Sequence, residues 1–218
     1  MEHFHWERFD RTSQEGCLFL DKDDICFYYM RKPYVPPSHS KASQLIYNIK
    51  IKPNEMTKAQ RRAGWKDIAI RQCAEDMARF IKANMNLCPP SNTLLVPIPP
   101  SAPRNHIEYD DRMTRVCSLI SSKLGYHTAD CFESIRHLGS THERTMKRDV
   151  DLIISNTAFH SEMITPNIRY IFLVDDQLTK GTHFKAMKRI ITSKFNIQVF
   201  GLFWAKQDSD YLYEVVSV

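Results

Sequence analysis

The segment from residue 170 to 183 constrains this chain more than any other. Tyr170-Ile171-Phe172-Leu173-Val174 is a continuous apolar run, followed by Asp175-Asp176 and by the short stretch Gln177-Leu178-Thr179-Lys180-Gly181-Thr182. Phe184, Met187, Ile190 and Ile191 then recur at helical spacing. An unbroken apolar run of this length fits a strand buried on both faces, as in a parallel sheet covered by helices; a half-solvated strand would alternate polar and apolar residues. The same order occurs upstream, where Leu94-Leu95-Val96-Pro97-Ile98 precedes a helix marked by Met113, Val116, Leu119, Ile120 and Leu124 and stopped by Gly125. Gln198 to Ala205 supplies a further strand. Strands alternating with helices predict an α/β fold, a Rossmann-like parallel sheet flanked by helices, with ligands outside the carboxyl ends of the strands.

Nearer the N-terminus, Cys17-Leu18-Phe19-Leu20 and Ile25-Cys26-Phe27-Tyr28-Tyr29-Met30 flank the polar turn Asp21 to Asp24, which predicts a small β-hairpin serving as a cap or arm. Pro33 to Ser43 reads as an irregular connection before Leu45 to Lys50. These patterns divide the chain into a hood or arm over residues 1–55 and an α/β core over 56–218. From Thr57 the residues Ile68, Ile70, Cys73, Ala74, Met77, Phe80 and Ile81 predict one long amphipathic helix ending before Pro89-Pro90. With 218 residues, the chain can bury one full core.

Several function classes fall away. No apolar run approaches the ~18 residues that span a bilayer, and the polar start at Met1 to Arg8 is unlike a signal peptide. The expectation is a cytoplasmic protein with no membrane partner. Six cysteines without a C-x-x-C pair suggest neither a disulfide framework nor a zinc ribbon, and read as reduced, buried thiols. The nine histidines lack the spacing of a catalytic zinc site and read as surface residues. Neither a Gly-x-Ser-x-Gly elbow nor a Walker phosphate loop is present. A net charge of +5 favours anionic ligands. Thr57 to Arg62 with Trp65 and Lys66 form a basic stretch able to attract nucleic acid, but a solvated helix face is the simpler reading. Nucleic acid is therefore not the favoured partner.

The chemistry concentrates after Val174. Two carboxylates at the end of a buried strand can accept hydrogen bonds from vicinal hydroxyls. A Thr/Gly loop that opens a helix offers free N–H groups and the positive end of a dipole to a phosphate. With only six glycines in the chain, the one at Gly181 is informative. Carboxylates beside a phosphate cradle describe a ribose phosphate site. An ordinary solvated strand end could also carry two acids, but strand, acids, loop glycine and helix all agree here. Asp110-Asp111-Arg112 is explained without function as the charged first turn of a helix, with Arg112 an even candidate for ligand contact. Tyr28, Tyr29, Trp204 and Tyr211 could stack on a base, although aromatic core packing is the simpler account.

The segment Ile171 to Thr182 resembles the phosphoribosyl diphosphate (PRPP) motif of type I phosphoribosyltransferases, and within them the competence-protein-F, amidophosphoribosyltransferase-like branch. Val96-Pro97-Ile98-Pro99-Pro100, Leu45 to Lys50, Arg112, and Ile135-Arg136 to Arg148 before Asn156 and Phe159 follow in the family's order. The resemblance implies a glycosyltransferase that moves the 5-phosphoribosyl group between PRPP and a nitrogen base, with diphosphate as the other product or substrate. Asp175 and Asp176 would bind the ribose hydroxyls, and Gln177, Leu178, Thr179, Lys180, Gly181 and Thr182 the 5-phosphate. Pro99, Pro100 and Ser101 would receive the diphosphate with help from Arg104, Arg112 and Arg148. His137 to Arg148 would be a mobile loop closing over substrate. Mg2+ would arrive mainly bound to PRPP, with no protein metal ligand assigned. The partners implied are PRPP and a nucleobase or nucleotide, and relatives of this type are often homodimers. Lys180 and His183 depart from the family's loop, which keeps open a non-catalytic PRPP- or nucleotide-binding regulator. A nucleotide-depleting defence effector is a further alternative.

Overall fold

The computed structural model describes residues 6–9, 19–33, 36–137 and 149–208. A six-stranded sheet is built from β1 (Glu7–Phe9), β2 (Ile25–Lys32), β3 (Thr93–Pro97), β4 (His127–Thr128), β7 (Tyr170–Leu178) and β8 (Gln198–Gln207), in the order β1-β2-β8-β7-β3-β4. All neighbours pair in parallel except β1, which runs antiparallel to β2 at the edge. A separate pair, β5 (Phe132–Ser134) and β6 (Thr157–Phe159), is antiparallel. The expected α/β architecture with a mostly parallel sheet is present.

Burial on both faces explains the apolar runs. Leu94, Val96, Ile171, Leu173, Val199 and Phe203 face one core. On that side lie α5 (Val150–Ser155) and α6 (Thr182–Thr192), through Val150, Ile153, Phe184, Met187 and Ile191. Leu95, Phe172, Val174, Leu202 and Trp204 point the other way. They meet α1 (Lys41–Ile49), α3 (Trp65–Ala83) and α4 (Arg112–Leu124) through Ile46, Ile49, Ile70, Met77, Val116 and Ile120. The alternation along each strand is that of a pleated sheet, and each buried Ile or Phe contributes roughly 1.5–3 kcal/mol. Gly125 ends α4 in the left-handed conformation, as its position suggested.

Four expectations are corrected. The N-terminal hairpin does not form an arm: Ile25–Lys32 is an inner strand of the main sheet, parallel to β8, and its antiparallel partner is Glu7–Phe9. Phe19 instead donates its N–H to the Lys180 carbonyl (3.1 Å), while Cys17 and Leu18 lie outside the described residues. Part of Pro33 to Ser43 is helical, because Ser40 caps α1 by accepting from the Ser43 N–H, and Ala42, Ile46 and Ile49 are buried along one face. The long helix is two, α2 (Lys58–Ala63) and α3, separated by Gly64 in the left-handed region at φ 61°. Ile68 and Leu119 share the helical spacing yet are exposed. The five described cysteines are buried and free, as expected. No helix among the described residues is long and apolar enough to cross a membrane.

Candidate functional site

β3 and β7 are adjacent and parallel, but the chain leaves them in opposite directions. After β3 it passes through α4 to β4 at the sheet edge; after β7 it passes through α6 to β8 on the other side. Diverging connections at such a switch point open a crevice beyond the strand ends. A cavity of about 250 Å³ lies there. It is lined by Pro99, Pro100 and Ser101 after β3, by Arg112 and Thr114 of α4, and by Asp175, Asp176, Gln177 and Thr179, with Lys50, Asp110, Asp130 and His183 completing the wall.

Strand β7 runs four residues past Val174, so the acids sit inside it rather than after it. Asp175, Gln177 and Leu178 pair with Phe203, Ala205 and Lys206 of β8. Leu178 is buried in the core, and the open loop shortens to Thr179, Lys180 and Gly181. Gly181 precedes α6 at φ 81°, and a Cβ placed on it would lie 2.6 Å from Leu20 Cγ. Both the backbone conformation and the close approach of Leu20 require glycine. The N-cap residue of α6 is Gly181, which makes no side-chain cap hydrogen bond, and the N-terminus of a helix favours an anionic acceptor. Lys180, Gly181 and Thr182 are not among the cavity-lining residues; Lys180 is exposed and Thr182 buried.

Charge is organised in an alternating row. Lys50 Nζ stands 3.2 Å from Asp176 Oδ1, and Arg112 Nε donates to Asp176 Oδ2 at 2.7 Å. Arg112 Nη1 donates to Asp110 Oδ2 at 2.8 Å, and Lys66 Nζ donates to the same oxygen at 2.7 Å. Three cations thus enclose two carboxylates. Lys66 also donates to the Ile49 and Ile51 carbonyls and is buried. This corrects its assignment to a solvated basic face. Asp110 is buried too, so it is more than the charged first turn of α4. Burial pushes the Asp176 carboxyl up, but Lys50 and Arg112 outweigh that and hold it below its usual range. Asp175 is raised, first by burial and then by the Asp176 charge, with Arg112, Lys50 and the Asp176 N–H opposing. Its Oδ1 accepts that N–H at 2.8 Å. Burial lowers the Arg112 pKa, and the charges of Asp176 and Asp110 more than reverse this.

Arg104 lies apart from the cavity wall, paired with Asp130 (2.5 Å) and Glu133 (3.6 Å). Arg148 and most of the segment expected to form a mobile loop lie outside the described residues. The boundaries of that segment are fixed: Asn156 Nδ2 donates to the Arg136 carbonyl and its Oδ1 accepts the Arg136 N–H, while Ser134 Oγ donates to the Pro100 carbonyl at 2.6 Å. Tyr28 and Trp204 are core residues, with Trp204 Nε1 donating to Asp76. Tyr211 is outside the described residues.

The reading from sequence missed Lys50, Asp110, Lys66 and Asp130. Lys50 and Lys66 reach the acids only once α1 and α3 pack on the sheet, so no local spacing marks them. Asp110, two residues before Arg112, did carry a signal: its carboxylate accepts the Arg112 backbone N–H as well as the guanidinium.

The fold and site together define an α/β protein with a polar crevice at a topological switch point, furnished with paired acids and a helix N-terminus. No protein-family model matches the chain, and no curated protein matches it.

Proposed function

We propose that the crevice binds PRPP with Mg2+ and that the chain transfers the phosphoribosyl group between diphosphate and a nitrogen base, on a type I phosphoribosyltransferase fold. The observation that carries this reading is the arrangement around one cavity. Asp175 and Asp176 on β7 face the Pro99–Ser101 turn of the neighbouring strand, while the start of α6, with Gly181 at its N-cap, follows within a few residues. In the forward reaction a C1–N bond forms as the C1–O bond to diphosphate breaks. Asp175 would accept from a ribose hydroxyl, the Thr179 hydroxyl and first-turn amides of α6 would bind the 5-phosphate, and Ser101 with Lys50 would meet the diphosphate. Gln177 holds Lys50 at 2.8 Å and Gln207 at 2.6 Å, a positioning role.

The donor set suits a magnesium ion that arrives with its substrate. Asp110 and Asp176 are already neutralised by lysine and arginine, which leaves no all-protein oxygen cage among the described residues, and Mg2+ commonly binds through substrate phosphates and water. When bound, it would neutralise charge on the departing diphosphate. The buried free thiols accord with a reducing cytoplasmic setting.

One observation favours a second reading, a non-catalytic PRPP- or nucleotide-binding regulator: each oxygen of Asp176 is already engaged by a protein cation, so only its remaining lone pairs are open to substrate hydroxyls. Diphosphate release in the presence of PRPP, Mg2+ and a panel of nucleobases separates the two. Base-dependent release that Asp175→Asn slows at least about a hundredfold supports the transferase. Saturable PRPP binding without release for any base supports the regulator.

A further inference from the structure

Beside the crevice, two histidines from distant parts of the chain converge on one carboxylate. His106 and Glu108 belong to a tight turn in which His106 donates its N–H to the Pro103 carbonyl and Tyr109 donates to that of His106. His137 follows the Arg136 position clamped by Asn156. The His137 Nε2 is 3.3 Å from Glu108 Oε2, and the two imidazole centroids are 4.3 Å apart. One ligand atom from each of the three residues lies within 4.8 Å of the others.

We propose that His106, Glu108 and His137 form a binding site for one divalent transition-metal ion of the zinc class. Two ligands bonded at ~2.0–2.1 Å in a tetrahedral site lie about 3.3–3.4 Å apart, which is the His137 to Glu108 separation. Two imidazoles and one carboxylate suit a borderline cation, and they leave a fourth position open. The set is poorly matched to Mg2+, which prefers oxygen ligands in octahedral geometry, so the magnesium ascribed to PRPP does not compete. Lys52 Nζ donates to the other carboxylate oxygen, Oε1, at 2.9 Å, which orients Glu108 and leaves Oε2 for the ion, as outer-shell partners do. One contact must be given up. The Glu108 N–H donates to His106 Nδ1 at 3.2 Å; a metal at Nδ1 replaces that hydrogen, and a metal at Nε2 moves the ring proton to Nδ1. A simple surface ion pair would explain Glu108 with His137, but not the second ring held against the first.

The test is titration of the chelator-stripped full chain with Co2+ as a spectroscopic stand-in, followed by Zn2+ competition. The expected result is visible d–d absorption saturating at one ion per chain, abolished by Zn2+ and unaffected by millimolar Mg2+. His106→Ala/His137→Ala should lose the band, and Glu108→Gln, which keeps the turn, should weaken binding by about tenfold or more. His127→Ala, at an exposed histidine elsewhere, should bind like the wild type. Equal binding by the double variant, absence of a band at millimolar Co2+, or thiolate charge-transfer bands indicating cysteine ligation would each overturn the proposal. Circular dichroism of every variant shows that a lost band reflects lost ligands rather than lost fold.

Discussion

Asp175 and Asp176 are neighbours in the chain yet titrate in opposite directions, because alternate residues of a strand meet different surroundings. Asp176 faces Lys50 and Arg112; Asp175 is burdened by burial and by its neighbour's charge, which push it up to about 7. Between the ordinary carboxylate range and about 7 the folded chain therefore keeps a proton on Asp175 that the unfolded chain has released. Stability from this group is present at low pH and falls as pH rises through that window, then levels. Asp176 acts oppositely, its contribution being lost as pH falls below the ordinary range. Thermal melts should show Asp175→Asn gaining on the wild type between pH 5 and pH 8, by an amount on the order of 1–3 kcal/mol given about 1.4 kcal/mol per pKa unit. A parallel pH dependence for the two proteins would refute this assignment. Lys66 provides a second residue-scale test. Lys66→Met removes one of the two cations on buried Asp110 and should destabilise the fold by about 3 kcal/mol, whereas Lys82→Met on the exposed face of α3 should stay within about 0.5 kcal/mol.

At the scale of elements, the loop between β7 and α6 depends on a contact from the segment before β2. Leu20 packs where a side chain on residue 181 would stand, and Phe19 bonds the Lys180 carbonyl. Gly181→Ala should cost about 1–3 kcal/mol through its left-handed backbone and the clash. Adding Leu20→Ala should recover the clash but not the backbone strain, so a double-mutant cycle in urea should give non-additive values. Additivity would place Leu20 elsewhere. The elements differed in how legible they were. β3, β7, β8, α4 and α6 stood out because burial on one or both faces writes a strong apolar pattern. α1 was hidden by the Pro- and Ser-rich stretch before it, although Ser40 as cap and Ala42, Ile46 and Ile49 at helical spacing were there to read. The hairpin misled because an acidic turn between apolar runs satisfies a local rule, whereas β2 finds its partner some 170 residues away in β8. Asp21 and Asp24 instead pair with Lys185 of α6.

Across the whole molecule, the crevice assembles residues from β3, α4, β7, α6 and the end of α1, which only the sheet order brings together. The acids and the loop glycine could be recognised because strand, acids and loop are contiguous in sequence. Lys50 and Lys66 could not, because their part in the site is created by packing; Asp110 was marked only by its place two residues before Arg112. This gives the central claim a direct measurement: isothermal titration of the purified chain with PRPP in Mg2+, beside a folded Asp175→Asn/Asp176→Asn variant. The account predicts saturable one-to-one binding by the wild type that the variant loses. A folded wild-type protein that takes up no PRPP, or a variant that binds it equally well, would contradict the assignment of the crevice.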